Sequence, residues 1–271
     1  MALLLTLTAL LGIAAGWALT VPVHRYKEFR PMTPRDVAAE VGTADHPAVV
    51  IRAEYREARC PDCHHVYRAA DVVPLVSWFR GCPECGTRLP LTVPLVQVGV
   101  PAAMVLTVAM FDNRWVAVPY LWLVVVLAAV AVIDLRIWLI PWWMPWAGAA
   151  VGFVLISGVS LALGSPENIV YALIGGIGCF VLFFVLYLLA PGKLGFGDVR
   201  LVLLLGLFLG WLNPLFPIYG LLFGSLIGLV MGIGSVIIDR GTRFPFGPAL
   251  ALGALVAVWL HQPLLASMGA G

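Results

Sequence analysis

The sequence predicts an all-α polytopic membrane protein of about eight transmembrane helices, with a small cytoplasmic zinc-binding insert between the first and the second. Three observations carry that prediction. Of 271 residues, 62% are hydrophobic and only 11% are charged, a composition outside the range of soluble domains. Apolar runs of spanning length recur along the chain, a bilayer core of about 30 Å taking roughly 20 helical residues. Four of the five cysteines form two C-x-x-C pairs inside one polar stretch, residues 21–92.

Taken in order, spans are expected near 2–20, 93–111, 115–133, 144–163, 168–190, 199–212, 216–238 and 248–265. The run Ala2–Thr20 has no basic residue ahead of it, whereas a signal peptide needs a positive start, so it reads as an uncleaved first span with its N-terminus outside. The second span carries Pro94 and Pro101, tolerable where neighbouring helices satisfy the freed backbone groups. The sixth is short. Three units follow: residues 1–20 as the first helix, 21–92 as a cytoplasmic domain and 93–271 as the membrane-embedded domain.

Lysine and arginine accumulate on the cytoplasmic side of membrane proteins. Residues 21–92 hold ten of the sixteen basic residues, and placing that segment inside brings Arg136, Lys193, Arg200, Arg240 and Arg243 inside too, leaving only Arg114 outside. Both termini are then expected outside. A net charge of +2 gives no reason to expect nucleic acid as a partner.

Within the insert, Cys60-Pro-Asp-Cys63 and Cys82-Pro-Glu-Cys85 are separated by 18 residues, the short-long-short spacing of a four-thiolate zinc site. Each pair offers two sulfurs from one tight turn, and two turns close a tetrahedron with no open position, so the metal is expected to staple the insert and do no chemistry. Paired redox dithiols are the alternative. His64 and His65 adjoin a knuckle and are not needed as ligands, and His24, His46 and His261 lack partners at metal spacing. Cys179, alone in an apolar run, reads as packing.

Two acids stand out in apolar surroundings. From Val93 onward there are five: Asp112, Asp134, Glu167, Asp198 and Asp239. Asp134 follows an apolar run, and Asp198 ends the turn Lys193-Leu-Gly195-Phe-Gly197-Asp198. Ionisable side chains at such depth are costly without a task. The charge count puts both at the cytoplasmic face, where two carboxylates that meet can share one proton and act as acid and base. Gly195 and Gly197 keep the approach to Asp198 free of side chains, so an extended backbone can come close. Lys193 and Arg200 read as interfacial anchors at least as well as substrate contacts, and Asp239 beside Arg240 as an ion pair. Trp138, Trp142, Trp143 and Trp146 read as an interfacial belt. Gly175-Gly176-x-Gly178 and Gly224-x-x-x-Gly228-x-x-x-Gly232 read as helix-packing faces.

With these residues placed, the chain resembles the type IV prepilin peptidase family of GxGD-type membrane aspartyl proteases. The carrying stretches are Cys60–Cys85 with Pro74-Leu-Val-Ser77-Trp78 between the knuckles, Ile133-Asp134 with Ile140-Pro141, Gly195-Phe-Gly-Asp198-Val-Arg200-Leu201, and Pro245-Phe-Gly-Pro248-Ala-Leu-Ala-Leu-Gly253. The resemblance implies a bacterial inner-membrane enzyme with Asp134 and Asp198 catalytic. It removes the short basic leader of type IV prepilins or pseudopilins after a glycine, just before an apolar helix. It also implies, in many members, methylation of the new N-terminal amine with S-adenosylmethionine. The chain departs from the family at Trp142 and at Gln97, both positions of an acid, and in Thr20-Val-Pro-Val-His24-Arg25, where an asparagine is usual. The departures leave proteolysis intact and predict that methyl transfer is weak or absent. A proton- or ion-coupled transporter also buries paired acids, but at mid-membrane and within inverted repeats, neither of which is visible here. A zinc-bearing scaffold would leave the aspartates unexplained.

Overall fold

The computed structural model describes residues 2–24, 58–60, 62–190, 194–237 and 245–267. Lys193, Asp239, Arg240, Arg243 and His46, all named from the sequence, lie outside them. Helices α1 (Ala2–Val23), α2 (Val76–Arg80), α3 (Thr92–Met110), α4 (Arg114–Ile137), α5 (Trp143–Ala162) and α6 (Glu167–Leu189) are followed by α7 (Phe196–Leu212), α8 (Phe216–Ile237), α9 (Gly247–Trp259) and α10 (His261–Ser267). A 3-10 turn at Ala69–Val72 precedes α2. The regular structure among the described residues is thus helical apart from one antiparallel bridge, Arg59 with Val66. In hydrocarbon a helix satisfies every backbone group within its own segment, which is why apolar runs of this length take no other form.

Among the described residues six helices, α1, α3, α4, α5, α6 and α8, are long and apolar enough to cross a bilayer. The expected last span, 248–265, is broken: α9 and α10 meet at 67°, making a seventh crossing only if the bent pair counts as one. Pro263 in the first turn of α10 explains the break. Its ring cannot donate to the carbonyl of Trp259 and clashes there, so the helix cannot run through. The short run expected at 199–212 is α7, which begins three residues earlier, at Phe196, and has 17 residues. At about 25 Å it barely matches a bilayer core.

That length matters less because α7 is the central helix, packed by α4's neighbour α5, by α6, α8 and α9. Eleven of its residues are buried, Leu201, Leu204 and Phe208 completely. An apolar helix with no polar face belongs in such a position. Small residues bring its neighbours close. A Cβ on Gly175 of α6 would lie 2.8 Å from the Cα of Gly210 on α7, and one on Gly210 would lie 2.6 Å from the carbonyl of Tyr171. Cys179 is buried beside Gly206, as the packing reading expects. Gly224 and Gly228 of α8 face Leu250 of α9 and Phe246, the residue that caps its start. Gly178 has open space around it and takes no part.

A further stripe runs along α1. Its buried residues Thr8, Gly12, Gly16, Thr20 and Val23 recur almost every fourth position, and Gly12 and Gly16 let α3 lie against it at Pro101 and Val96. Trp142, Trp143 and Trp146 are exposed near the start of α5, as an interfacial belt requires.

Candidate active site

Asp134 occupies the last turn of α4. The helix stops because Trp138 adopts a left-handed conformation (φ 56°) and its N–H returns to the Asp134 carbonyl at 2.9 Å. The side chain of Asp134 is buried, 5% exposed. Asp198 sits in the first turn of α7, half-buried, two residues into the helix that Gly195 caps with extended backbone. An acid there meets the positive end of the helix dipole. Its N–H donates to the Gly195 carbonyl at 3.1 Å, and its Oδ2 folds back to within 3.2 Å of where a Gly195 Cβ would stand.

A third segment joins them. The N–H of Gly247, the first residue of α9 and one of the helix's unpaired donors, gives a hydrogen bond of 2.9 Å to Asp134 Oδ2. A Cβ on Gly247 would come within 2.6 Å of that same oxygen. Ile140, in the α4–α5 turn, fills the space between: its side chain stands 3.1 Å from a Cβ on Gly197 and 3.3 Å from one on Gly247. The end of α4 and the starts of α7 and α9 therefore converge on one point. Asp134 and Asp198 flank the same side chain, since Gly197, next to Asp198, and Gly247, bonded to Asp134, both face Ile140.

Of the residues singled out from sequence, Asp134, Asp198, Gly195 and Gly197 are brought together, with Gly195 exposed. Arg200 lies two residues past Asp198 and one turn past Phe196, its guanidinium 4.4 Å from the centre of the Phe196 ring, which occupies it within its own helix. Two participants were not identified as such: Ile140 and Gly247. A glycine followed by proline at a helix start does signal an open N–H, but the sequence does not reveal what it faces.

The insert gathers its cysteines. The sulfurs of Cys60, Cys63, Cys82 and Cys85 all lie within 4.8 Å of one another, with Cys60–Cys85 at 3.6 Å and Cys63–Cys82 at 3.5 Å. Zinc bonds of about 2.3 Å in a tetrahedron set sulfurs roughly 3.8 Å apart, so this donor set fits a four-thiolate metal site. The two knuckles share one backbone design. His64 N–H donates to the Cys60 carbonyl at 3.1 Å and Gly86 N–H to that of Cys82 at 2.9 Å, both His64 and Gly86 being left-handed. His65 is no ligand. Its ring bridges Glu84 at 2.9 Å and Asp71 at 3.2 Å, and these carboxylates, Asp71 first, raise its pKa above the ordinary value.

Gln97 is the hub between insert and membrane. Buried in α3, it accepts from Trp78 Nε1 at 2.6 Å and donates through Nε2 to the Val72 carbonyl at 2.7 Å and to Thr20 Oγ1 at 3.2 Å. Nearby, His24 Nδ1 donates to the Thr20 carbonyl at 2.6 Å and its Nε2 pairs with the Thr92 hydroxyl at 2.8 Å. Burial, then the charge of Arg136, lowers its pKa to about 4.

Residues 121–233 match the type IV leader peptidase family, and residues 10–111 match the bacterial peptidase A24 N-terminal domain. The prepilin leader peptidase/N-methyltransferase of Aeromonas hydrophila is 34% identical over 213 residues, 73% of this chain and 70% of that protein. That of Stutzerimonas stutzeri is 29% identical over 271 residues, covering 95% and 91%. The type 4 prepilin-like proteins leader peptide-processing enzyme of Escherichia coli O78:H11 is 30% identical over 263 residues, covering 92% and 91%. No solved structure matches the chain.

Proposed function

The chain belongs to the type IV leader peptidase family, and we propose that it cleaves prepilin leaders with Asp134 and Asp198 acting as one catalytic pair. The observation that carries this reading is the convergence of α4, α7 and α9 on the two carboxylates, with glycines wherever a Cβ would obstruct them. One ionised carboxylate takes a proton from a water molecule, whose oxygen attacks the scissile carbonyl carbon. The other, protonated, gives its hydrogen to the carbonyl oxygen. Collapse of the tetrahedral intermediate breaks the C–N bond as the leaving amine takes the proton from one carboxyl and a hydroxyl of the intermediate gives its proton to the other carboxylate, so that a carboxylic acid forms and the dyad is again singly protonated. Both roles belong to the pair and not to either residue. Exposed Gly195 leaves room for an extended backbone beside Asp198.

The substrate is the bond between a short basic leader and the apolar helix of a type IV prepilin or pseudopilin, cleaved after a glycine. The charge asymmetry around the spans supports an active site at the cytoplasmic face of the bacterial inner membrane. Cys60, Cys63, Cys82 and Cys85 hold a structural zinc ion, which stabilises the insert and takes no part in hydrolysis. Methyl transfer from S-adenosylmethionine is weak or absent. The amide of Gln97 cannot remove a proton from an amine, and its donor and acceptor groups are already engaged.

The test is one mass measurement on full-length protein in lipid nanodiscs with a leader-bearing prepilin peptide and labelled S-adenosylmethionine. Loss of the leader mass without methyl incorporation is expected. Absence of cleavage together with proton or ion flux in vesicles would move the aspartates to the transporter reading.

A further inference from the structure

The insert carries an apolar surface that the proposed chemistry does not use. Leu75, Val76 and Phe79, in and just before α2, are 62%, 58% and 89% exposed, and Val73 beside them is exposed as well. Leu75, at the N-cap of α2, has a positive φ (66°), unusual for a bulky residue. In water such a cluster on so short an element marks an interaction surface.

Its depth says which one. Trp17 Nε1 donates to the carbonyl of Ala69 at 2.8 Å, and Trp17 lies six residues before the end of α1, about 9 Å along the axis. Helical side chains lean toward the N-terminus, which in α1 is the end far from the insert, so Ala69 is drawn inward and not outward by this bond. Trp78 and Val72 bond to Gln97, five residues inside the start of α3, about 8 Å along its axis. The chain from Ala69 to Arg80 therefore sits below the ends of both membrane helices. Elements that lie in a bilayer interface bury their apolar side about 5–10 Å deep, the same range. Leu75 and Trp78 also line one open, groove-like cavity of about 740 Å³ together with Ile13 of α1 and Val98, Pro101 and Val105 of α3, residues of two apolar spans. The exposed side chains Leu91, Leu95 and Val98 continue the same kind of surface down α3.

We propose that residues 73–80 form a membrane-dipping element: Leu75, Val76 and Phe79 lie among the lipids, and the cavity behind Leu75 and Trp78 takes a phospholipid acyl chain. The lipid is chosen because the cavity walls are continuous with the lipid-facing sides of α1 and α3. The zinc-binding insert is on this account held to the membrane by its own apolar edge as well as by its two tethers.

The experiment is photolabelling of full-length, metal-loaded protein in phosphatidylethanolamine/phosphatidylglycerol vesicles with a phospholipid carrying a diazirine near its acyl terminus, adducts being mapped by mass spectrometry. Adducts on Leu75, Val76 and Phe79 at yields comparable to Leu95 and Val98 are expected, along with labelling of half-buried Val105 in the wall of the groove. The Leu75→Ser/Phe79→Ser double variant should lose the Val105 adduct while keeping its full metal content. Adducts on Leu95 and Val98 with none on residues 73–80 would overturn the proposal. So would labelling of Phe79 by a water-soluble diazirine as strongly as exposed Arg88. A prepilin peptide with a diazirine in its apolar helix that labels the cavity and excludes the acyl chain would assign the space to substrate, overturning it without touching the aspartate chemistry.

Discussion

The four-cysteine cluster and the aspartate site both hold ionisable groups in fixed positions, but they reach that precision on different scales of the chain. Cys60 to Cys85 is a short stretch in which each knuckle is shaped by its own backbone, through His64 N–H to the Cys60 carbonyl and Gly86 N–H to that of Cys82. Asp134 takes its backbone donor from Gly247, 113 positions away, and meets Asp198 only because α4, α7 and α9 converge. At the cysteines a metal held by the four sulfurs would supply binding energy that is also folding energy. At the aspartates the positioning comes from helix packing, and glycines at 197 and 247 set how closely the segments approach. Damage to one site should therefore spread little to the other.

The largest test of that separation is the dyad. Asp134→Asn and Asp198→Asn should each lower leader cleavage by at least about a thousandfold, because in the proposed mechanism acid and base roles alternate between the two carboxyls. The double variant should lose no more than the worse single one, as for residues acting as a unit. Metal content should stay at one ion per chain. Cleavage by either well-folded single variant at near wild-type rate would remove the pair from the chemistry.

Next comes Gly247→Ala. The new methyl would stand 2.6 Å from Asp134 Oδ2 and 3.3 Å from Ile140, so the carboxylate or α9 must move. Displacement of a catalytic group by about 1 Å can cost a hundredfold, and a loss of that order is expected in kcat. In Gly197→Ala the nearest contact is Ile140, at 3.1 Å, and the variant should cost less. Equal losses in the two variants would mean that the Gly247 hydrogen bond does not hold Asp134.

Cys82→Ser reverses the pattern. Metal stoichiometry should collapse and hydrogen exchange across residues 58–88 should rise strongly, while cleavage falls only several-fold. A loss of cleavage matching the dyad variants would show that the aspartate site depends on the insert's fold.

The contrast also explains what could be read in advance. The knuckles were legible because spacing alone places four sulfurs, and the aspartates because ionisable groups are scarce in apolar runs. Gly247 and Ile140 stand within motifs yet carry no role readable from sequence, since a backbone N–H and an aliphatic side chain gain theirs only from what faces them. The break at Leu260 was missed although Pro263 announces it, because apolar length hid the local backbone conflict. Gln97 read as the loss of an acid. Its three hydrogen bonds tie together segments far apart in sequence, which no local pattern displays.

A smaller effect lies at the seam between the two regions. His24 is neutral, and its folded pKa of about 4 is below the ordinary 6.5. Between those values the unfolded chain binds more protons than the folded one, so the contribution is complete above about pH 6.5 and is lost as pH falls toward 4. The shift corresponds to at most about 3 kcal/mol. Hydrogen exchange at the end of α1 and the start of α3 should quicken over that window in wild type, and a His24→Asn variant should flatten the dependence. An unchanged pH profile in the variant would place the titration elsewhere.

The smallest expected effect on cleavage comes from Gln97→Glu, and it probes the seam most directly. The carboxylate keeps the acceptor for Trp78 Nε1 but loses both N–H donors, leaving the Val72 carbonyl facing a like dipole. Thr20 can lose its partner more cheaply, because its hydroxyl already donates to the Gly16 carbonyl at 2.8 Å. Stranding one buried carbonyl costs about 1–3 kcal/mol, enough to loosen the docking of residues 69–80 on α1 and α3 without unfolding the metal site. Hydrogen exchange should therefore rise at Val72–Trp78 and stay unchanged at the knuckles, with cleavage nearly preserved. The same substitution supplies the acid that the family pattern carries, so methyl incorporation should increase from its low wild-type level. If cleavage instead drops as far as in Cys82→Ser, the insert and the aspartate site are mechanically joined through this one side chain, and the separation of the two regions fails at its seam.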